Sequence, residues 1–202
     1  MTIRKWFYLF WTTVLIGVCT SVIVGLSLQL SDQDYNQISL MEVGYSIVLM
    51  VLGGAMISVL SQMGFFAYLI IRYIAMGLFR KKIIWDYIQL LILISVLIDS
   101  VYFRRVVWDT SGTILDYMIM PIIVLLLSLG VTYWKVKLTN PQAFIPTLFF
   151  MVVVTILEAV PAIKLDNTVS SIFMITPLFV CNTWQVLILH KIVESKTTNG
   201  IS

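Results

Sequence analysis

Long apolar runs alternate with short polar breaks along this chain, and the runs are too long for strands and too unbroken for the half-wet helices of a soluble domain. A hydrocarbon core about 30 Å thick, crossed at 1.5 Å per residue, asks for about 20 apolar residues per helix. Six segments meet that demand: Trp6 to Leu30, Val43 to about Leu69, Ile83 to Phe103, Ile114 to Trp134, Phe144 to Ile163, and Thr168 to His190. The first follows Arg4 and Lys5 as an uncharged run of 25 residues. A cleaved signal core holds roughly 7 to 15, so this run reads as a retained span. The second is ambiguous, because largely apolar character continues from Val43 to Phe79, 37 residues. It fits two spans, one tilted span, or a span whose end around Arg72 to Phe79 lies along the cytoplasmic interface.

Charge placement decides between these. Lys and Arg in short loops are held on the cytoplasmic side. Six spans with the N-terminus inside put Arg4, Lys5, Arg80, Lys81, Lys82, Lys135, Lys137, Lys191 and Lys196 inside, nine of the 13 basic residues. Arg104, Arg105 and Lys164 fall outside, and Arg72 lies near the inner interface. Splitting the second segment would export most of the inner cations, which rejects two spans. Composition agrees. The chain of 202 residues is 60% hydrophobic and only 11% charged, against roughly 25% charged in soluble domains. The exterior is therefore lipid-covered, and a soluble catalytic domain has no place. The expected fold is all-α and polytopic, with about six transmembrane helices, both termini cytoplasmic, one membrane domain over 1–194 and a polar cytoplasmic tail over 195–202. The expected location is the cell membrane, multi-pass. A net charge of +3 is no nucleic-acid signature, so membrane lipids are the first partners expected.

Polar groups at membrane depth are costly and call for a partner or a task. Glu158 lies past the middle of the fifth span, and Pro161 removes the backbone bond to the Leu157 carbonyl. This acidic, kinked place could bind a cation or pair with Arg104 or Lys164. In the sixth span Pro177 precedes Asn182 and Gln185, which share a face at three-residue spacing and read either as glue between helices or as a ligand site. Asp99 joins the candidates. It lies about 220° around the third helix from Asp86, so those two carboxylates form no dyad within the span. Asp86 and Gln89 share a face near the inner end, with Lys82 placed to neutralise Asp86. Arg104 and Arg105 are either snorkelling anchors or an exposed basic site for phosphate, headgroup or partner. Gly53, Gly54, Ser58, Ser61 and Gly64 give the second segment a small-residue run for close helix approach, with a gating hinge as the alternative. Cys19 and Cys181 read as small hydrophobes, the scattered methionines as gap fillers, and His190 beside Lys191 as a cap on the last carbonyls.

No zinc motif, nucleophile motif or phosphate-cradling loop is present in the sequence, so no enzyme, no metal and no cofactor are expected. A small transporter or ligand-binding membrane protein using the polar site around Glu158 remains the alternative, although matching broken helices of an inverted repeat are not evident.

Three stretches add a resemblance: Ser61-Gln62-Met63-Gly64-Phe65-Phe66-Ala67-Tyr68-Leu69, then Phe144-Ile145-Pro146 through Phe149-Phe150-Met151 to Glu158 and Pro161, and Cys181-Asn182 through Leu187-Ile188-Leu189-His190-Lys191. In these the chain resembles the KinB signalling pathway activation family, KbaA, of endospore-forming bacteria. The resemblance implies a non-enzymatic membrane regulator that activates the KinB sensor histidine kinase branch of the sporulation phosphorelay, with the kinase or another membrane protein as partner. The first outer loop and the C-terminal tail carry nothing that matches.

Overall fold

The structure is a computed structural model that describes residues 3–30, 40–79, 81–108, 114–163 and 168–194, excluding the side chains of 40, 104–108, 114–117, 162–163, 168 and 190–194. The described residues are almost wholly helical: α1 (Ile3–Leu30), α2 (Leu40–Leu78), α3 (Lys82–Trp108), α4 (Ile114–Leu138), a 3₁₀ turn at Pro141–Ala143, α5 (Phe144–Phe149), a π turn at Phe150–Val154, α6 (Thr155–Ile163) and α7 (Thr168–Glu194). The stretch from Pro141 to Ile163 is one continuous helical path, so these elements make six helices long and apolar enough to cross a membrane. The tail 195–202 and the first outer loop lie outside the described residues.

Segment ends differ from the sequence reading in one consistent direction: helices outrun their apolar windows. A helix ends where its backbone groups find caps or solvent, not where hydrophobicity ends. Arg104 and Arg105, expected in an outer loop, belong to the last turns of α3. Lys135 and Lys137, expected in an inner loop, lie in the last turn of α4, and Lys135 is only 6% exposed. His190 is one turn inside α7 rather than at its end, with its side chain outside the described residues. α2 is unbroken for 39 residues, so the segment around Arg72 to Phe79 continues the second span as helix. α6 runs on through Pro161 and α7 through Pro177, while the departure from α-geometry lies upstream of Glu158, in the π turn.

The chain divides into two compact units. The first holds α1, α2 as far as Gln62, and α7. Its helices meet through small residues. On α1, Thr13, Gly17, Ser21 and Gly25 are buried at every fourth position, one face of the helix. A Cβ added at Gly54 would lie 2.7 Å from Ser21 Cβ and 2.9 Å from both the Gly17 carbonyl oxygen and Val18 Cα. At that separation α1 and α2 touch backbone to backbone, which is how membrane helices gain packing without a hydrophobic driving force.

The second unit holds Met63–Asp166. Its centre is the fifth span: 72% of an 18-residue apolar window within Pro141–Pro161 is buried, against 17% of one within Met41–Leu78. Phe150, Met151, Val152 and Val153 of the π turn are essentially inaccessible. Aromatic rings from the end of α2 close on them. Phe65 meets Phe150 edge to face at 5.6 Å, and Tyr68 lies 5.8 Å from Phe149 and 5.4 Å from Phe150. α3 and α4 pack on the same segment. α4 does so along Pro121, Val124, Ser128, Thr132 and Lys135, a stripe that changes from apolar to polar toward its C-terminal end.

Candidate functional site

In the first unit the small residues do more than allow contact: they let short polar side chains reach one another. Ser58 bonds the Gly54 carbonyl of its own helix at 2.7 Å and lies 3.7 Å from the Cys181 sulfur, which in turn points to the Thr13 carbonyl at 3.7 Å. One turn on, the Ser61 hydroxyl donates to Asn182 Oδ1 at 2.7 Å and accepts from Gln185 Nε2 at 2.6 Å. The three-residue spacing of Asn182 and Gln185 aims both amides at that one hydroxyl. Ser61, Asn182 and Gln185 are all 0% exposed. Gln62 extends the group to the Phe10 carbonyl at 3.4 Å, and Trp184 reaches Thr12 Oγ1 at 3.3 Å. The result is a buried polar core tying α1, α2 and α7.

In the second unit Glu158 is 8% exposed. Its carboxyl lies against Gly64, where any Cβ would collide with Oε1 and sit 2.8 Å from both Cδ and Val154 Cγ1. Gly64 is thus required for the carboxyl to occupy its place, four residues past the π turn. Such turns widen the helix and free its carbonyl pattern, and they recur at functional sites. Here the Phe150 N–H is shared by the Pro146 and Thr147 carbonyls, and the Tyr68 hydroxyl also donates to Pro146 at 3.1 Å. Gln89 Nε2 donates to that hydroxyl at 3.3 Å, completing a path from α3 through α2 to α5.

A family model described as KinB-signalling pathway activation in sporulation matches residues 17–192. The chain belongs to the KbaA family. It is 32% identical over 187 residues to the KinB-signaling pathway activation protein of Bacillus subtilis (strain 168), covering 90% of this chain and 93% of that one. No solved structure matches. The matched range contains Ser58, Ser61, Gly64, Glu158, Cys181, Asn182 and Gln185, whereas Phe10, Thr12 and Thr13 precede it.

Not all the candidates come together. Asn182 and Gln185 meet Ser61 in the first unit, whereas Glu158 and Gly64 belong to the second. Asp99 is exposed on α3 and joins neither site. Lys82 does not neutralise Asp86; its ammonium goes to the backbone carbonyl and side chain of Gln142, at 3.3 and 3.4 Å. Gly53 faces Phe173 of α7 at an ordinary 3.5 Å and imposes no constraint. The side chains of Arg104 and Arg105 lie outside the described residues. Among the described residues, no three of His, Cys, Asp and Glu gather to hold a metal. Sequence reading passed over Gly17. There a Cβ would strike Ser58 Oγ and lie 2.9 Å from the Cys181 sulfur. The four-residue recurrence of Thr13, Gly17, Ser21 and Gly25 was the available signal.

Proposed function

We propose that this KbaA-family chain is a non-enzymatic, multi-pass regulator of the cell membrane. Residues 1–194 act as one membrane domain, both termini are cytoplasmic, and the role is to activate the KinB branch at the start of sporulation. Family membership supports the pathway, and the distribution of Lys and Arg supports the orientation. The mechanism we infer acts between helices: the membrane face of the chain binds one state of the kinase's membrane domain better than the other. An effector shifts a two-state equilibrium only by such a difference in affinity.

The observation that carries this reading is the complete burial of the Ser61, Asn182 and Gln185 circuit. These side chains face other helices of the same chain, so their role is to hold α2 against α7 and set the shape of the apolar exterior. Met41, Tyr45, Leu52 and Met56 on exposed α2 are the type of residue that would meet lipid or kinase. Near-isosteric Asn182→Leu and Glu158→Gln test it in stably inserted protein. Loss of KinB-dependent sporulation, with other kinase inputs intact, is the expected result for Asn182→Leu. Normal KinB-dependent sporulation in both variants would remove the polar residues from the mechanism. Copurification with KinB distinguishes direct contact from an indirect effect.

A second reading has one observation in its favour, the Glu158 carboxyl seated against Gly64 beside a π turn. That arrangement suits a small membrane transporter or ligand-binding protein whose solute reports to the kinase. Solute uptake into liposomes that is lost in Glu158→Gln would favour it over the contact mechanism.

A further inference from the structure

The end of the second unit where α2 passes into α3 and α4 into α5 carries a charge imbalance that neither reading uses. Residues 65–90 and 128–150 hold six cations, Arg72, Arg80, Lys81, Lys82, Lys135 and Lys137, against one acid, Asp86, while the whole chain has 13 against 10. Arg80 lies outside the described residues. Two contacts gather the others at one end. Phe79, just past α2, stacks on Trp85 in the first turn of α3 with centroids 6.1 Å apart. The Lys82 ammonium bonds the Gln142 carbonyl and side-chain oxygen, which ties the start of α3 to the turn between α4 and α5. Lys137 is the last residue but one of α4. Arg72 stands about 9 Å before the end of α2 at Leu78, with a long side chain that can snorkel toward that end.

The chain leaves most of this charge without a counterion. Lys82 is turned to a neutral acceptor, and the Lys137 ammonium lies 4.5 Å over the Tyr133 ring. The side chains of Arg72 and Lys81 make no hydrogen bond among the described residues, and none of Arg72, Lys81, Lys82 and Lys137 pairs there with a carboxylate. Beside the cations the rings of Tyr73, Tyr87, Tyr133 and Trp134 are 56% to 82% exposed. Such amphipathic rings seat at headgroup depth. Membrane orientation requires only that loop cations lie on one side, and is indifferent to whether they gather or find partners. Four to eight cations gathered beside membrane helices attract anionic headgroups.

We propose that this end of the second unit is a docking surface for the phosphate diesters of anionic membrane phospholipids, engaged by Arg72, Lys81 and Lys137. The guanidinium offers a phosphate its planar fork, and each ammonium offers a point charge. The patch complements such headgroups in sign. It also complements them in position, because its cations stand at the ends of apolar helices among rings that favour the interface. A soluble anion would need the charge but not the rings. The inference is independent of the regulator reading.

The test uses the purified full chain in nanodiscs of phosphatidylcholine alone and of phosphatidylcholine mixed with phosphatidylglycerol. A rise in unfolding midpoint of about 2 to 4 °C with phosphatidylglycerol is expected at low salt, shrinking as added salt screens the charges. Arg72→Gln, Lys81→Gln and Lys137→Gln combined should abolish the rise. Lys81→Gln alone, at an exposed position, should reduce it and keeps the test open should the combined variant fail to fold. Arg4→Gln, which removes a cation of the first unit, should leave it intact. Polyglutamate added to the phosphatidylcholine nanodiscs is the competing anion: a rise with it and none with phosphatidylglycerol would assign the patch to an acidic protein segment and overturn the proposal. So would no rise at all, a rise indifferent to salt, one that survives the cation variants, or one lost equally in Arg4→Gln.

Discussion

The two units differ in how they meet polar groups in an apolar interior. In the first, small residues draw helices together until short side chains bond directly, and Ser61 is used as both donor and acceptor. In the second, a bulky aromatic and β-branched segment fills the centre, and Trp85, Ser128 and Thr132 hold buried polar atoms with no hydrogen-bond partner among the described residues. The bare atoms of the first unit among the described residues are amide oxygens, of Gln29, Gln62 and Gln185, on side chains already anchored through their nitrogens.

That contrast can be broken most severely at Gly54, where the neighbours are backbone and cannot yield. Gly54→Val should destabilise the chain by about 3 kcal/mol or more in reversible unfolding from mixed micelles. A small effect there would mean that α1 and α2 are not in backbone contact. Next comes Gly64→Ala in the second unit, expected to cost about 1 to 3 kcal/mol because the Glu158 carboxyl must move. Glu158→Ala should recover most of that loss, and the double-mutant cycle measures it; additive effects would separate the two residues.

The two fully buried glutamines give a finer comparison. Gln185→Met removes a made hydrogen bond and should cost about 0.6 kcal/mol, with about 1.7 as an upper bound. Gln89→Met likewise removes one made bond, to the Tyr68 hydroxyl, together with an amide oxygen that, like that of Gln185, has no partner among the described residues, and should cost about the same. A much larger loss in either would mark its bond as the stronger of the two. The smallest effects belong outside. Met56→Leu and Tyr73→Phe, at residues 74% and 82% exposed, should stay within about 0.5 kcal/mol by the same unfolding measurement.

Legibility followed the range of the interaction involved. Six spans could be read because the length of an apolar run is a local property, and Leu30 marks the same end in sequence and structure. Gly54, Ser58, Ser61 and Gly64 were recognisable as contact positions, since small residues at helical spacing are a local signal as well. Their partners were not. Ser61 bonds to residues 121 and 124 positions away, and nothing in a helix's own sequence says which neighbour it will face. Lys82 shows the converse: a partner four residues away was available, but the 3₁₀ turn brought Gln142 nearer. Asp99 was a candidate beside Glu158, and packing turned one outward and the other inward.

The amino-acid order by itself determined a helical chain with six segments long and apolar enough to cross a membrane, because backbone groups in lipid must be satisfied within each segment. Tertiary structure alone decided which polar residues meet, where Gly17 and Gly64 are indispensable, and that the fifth span opens into a π turn. Those outcomes depend on helices far apart in sequence arriving at the same place, and packing geometry, not local preference, selects the pairs.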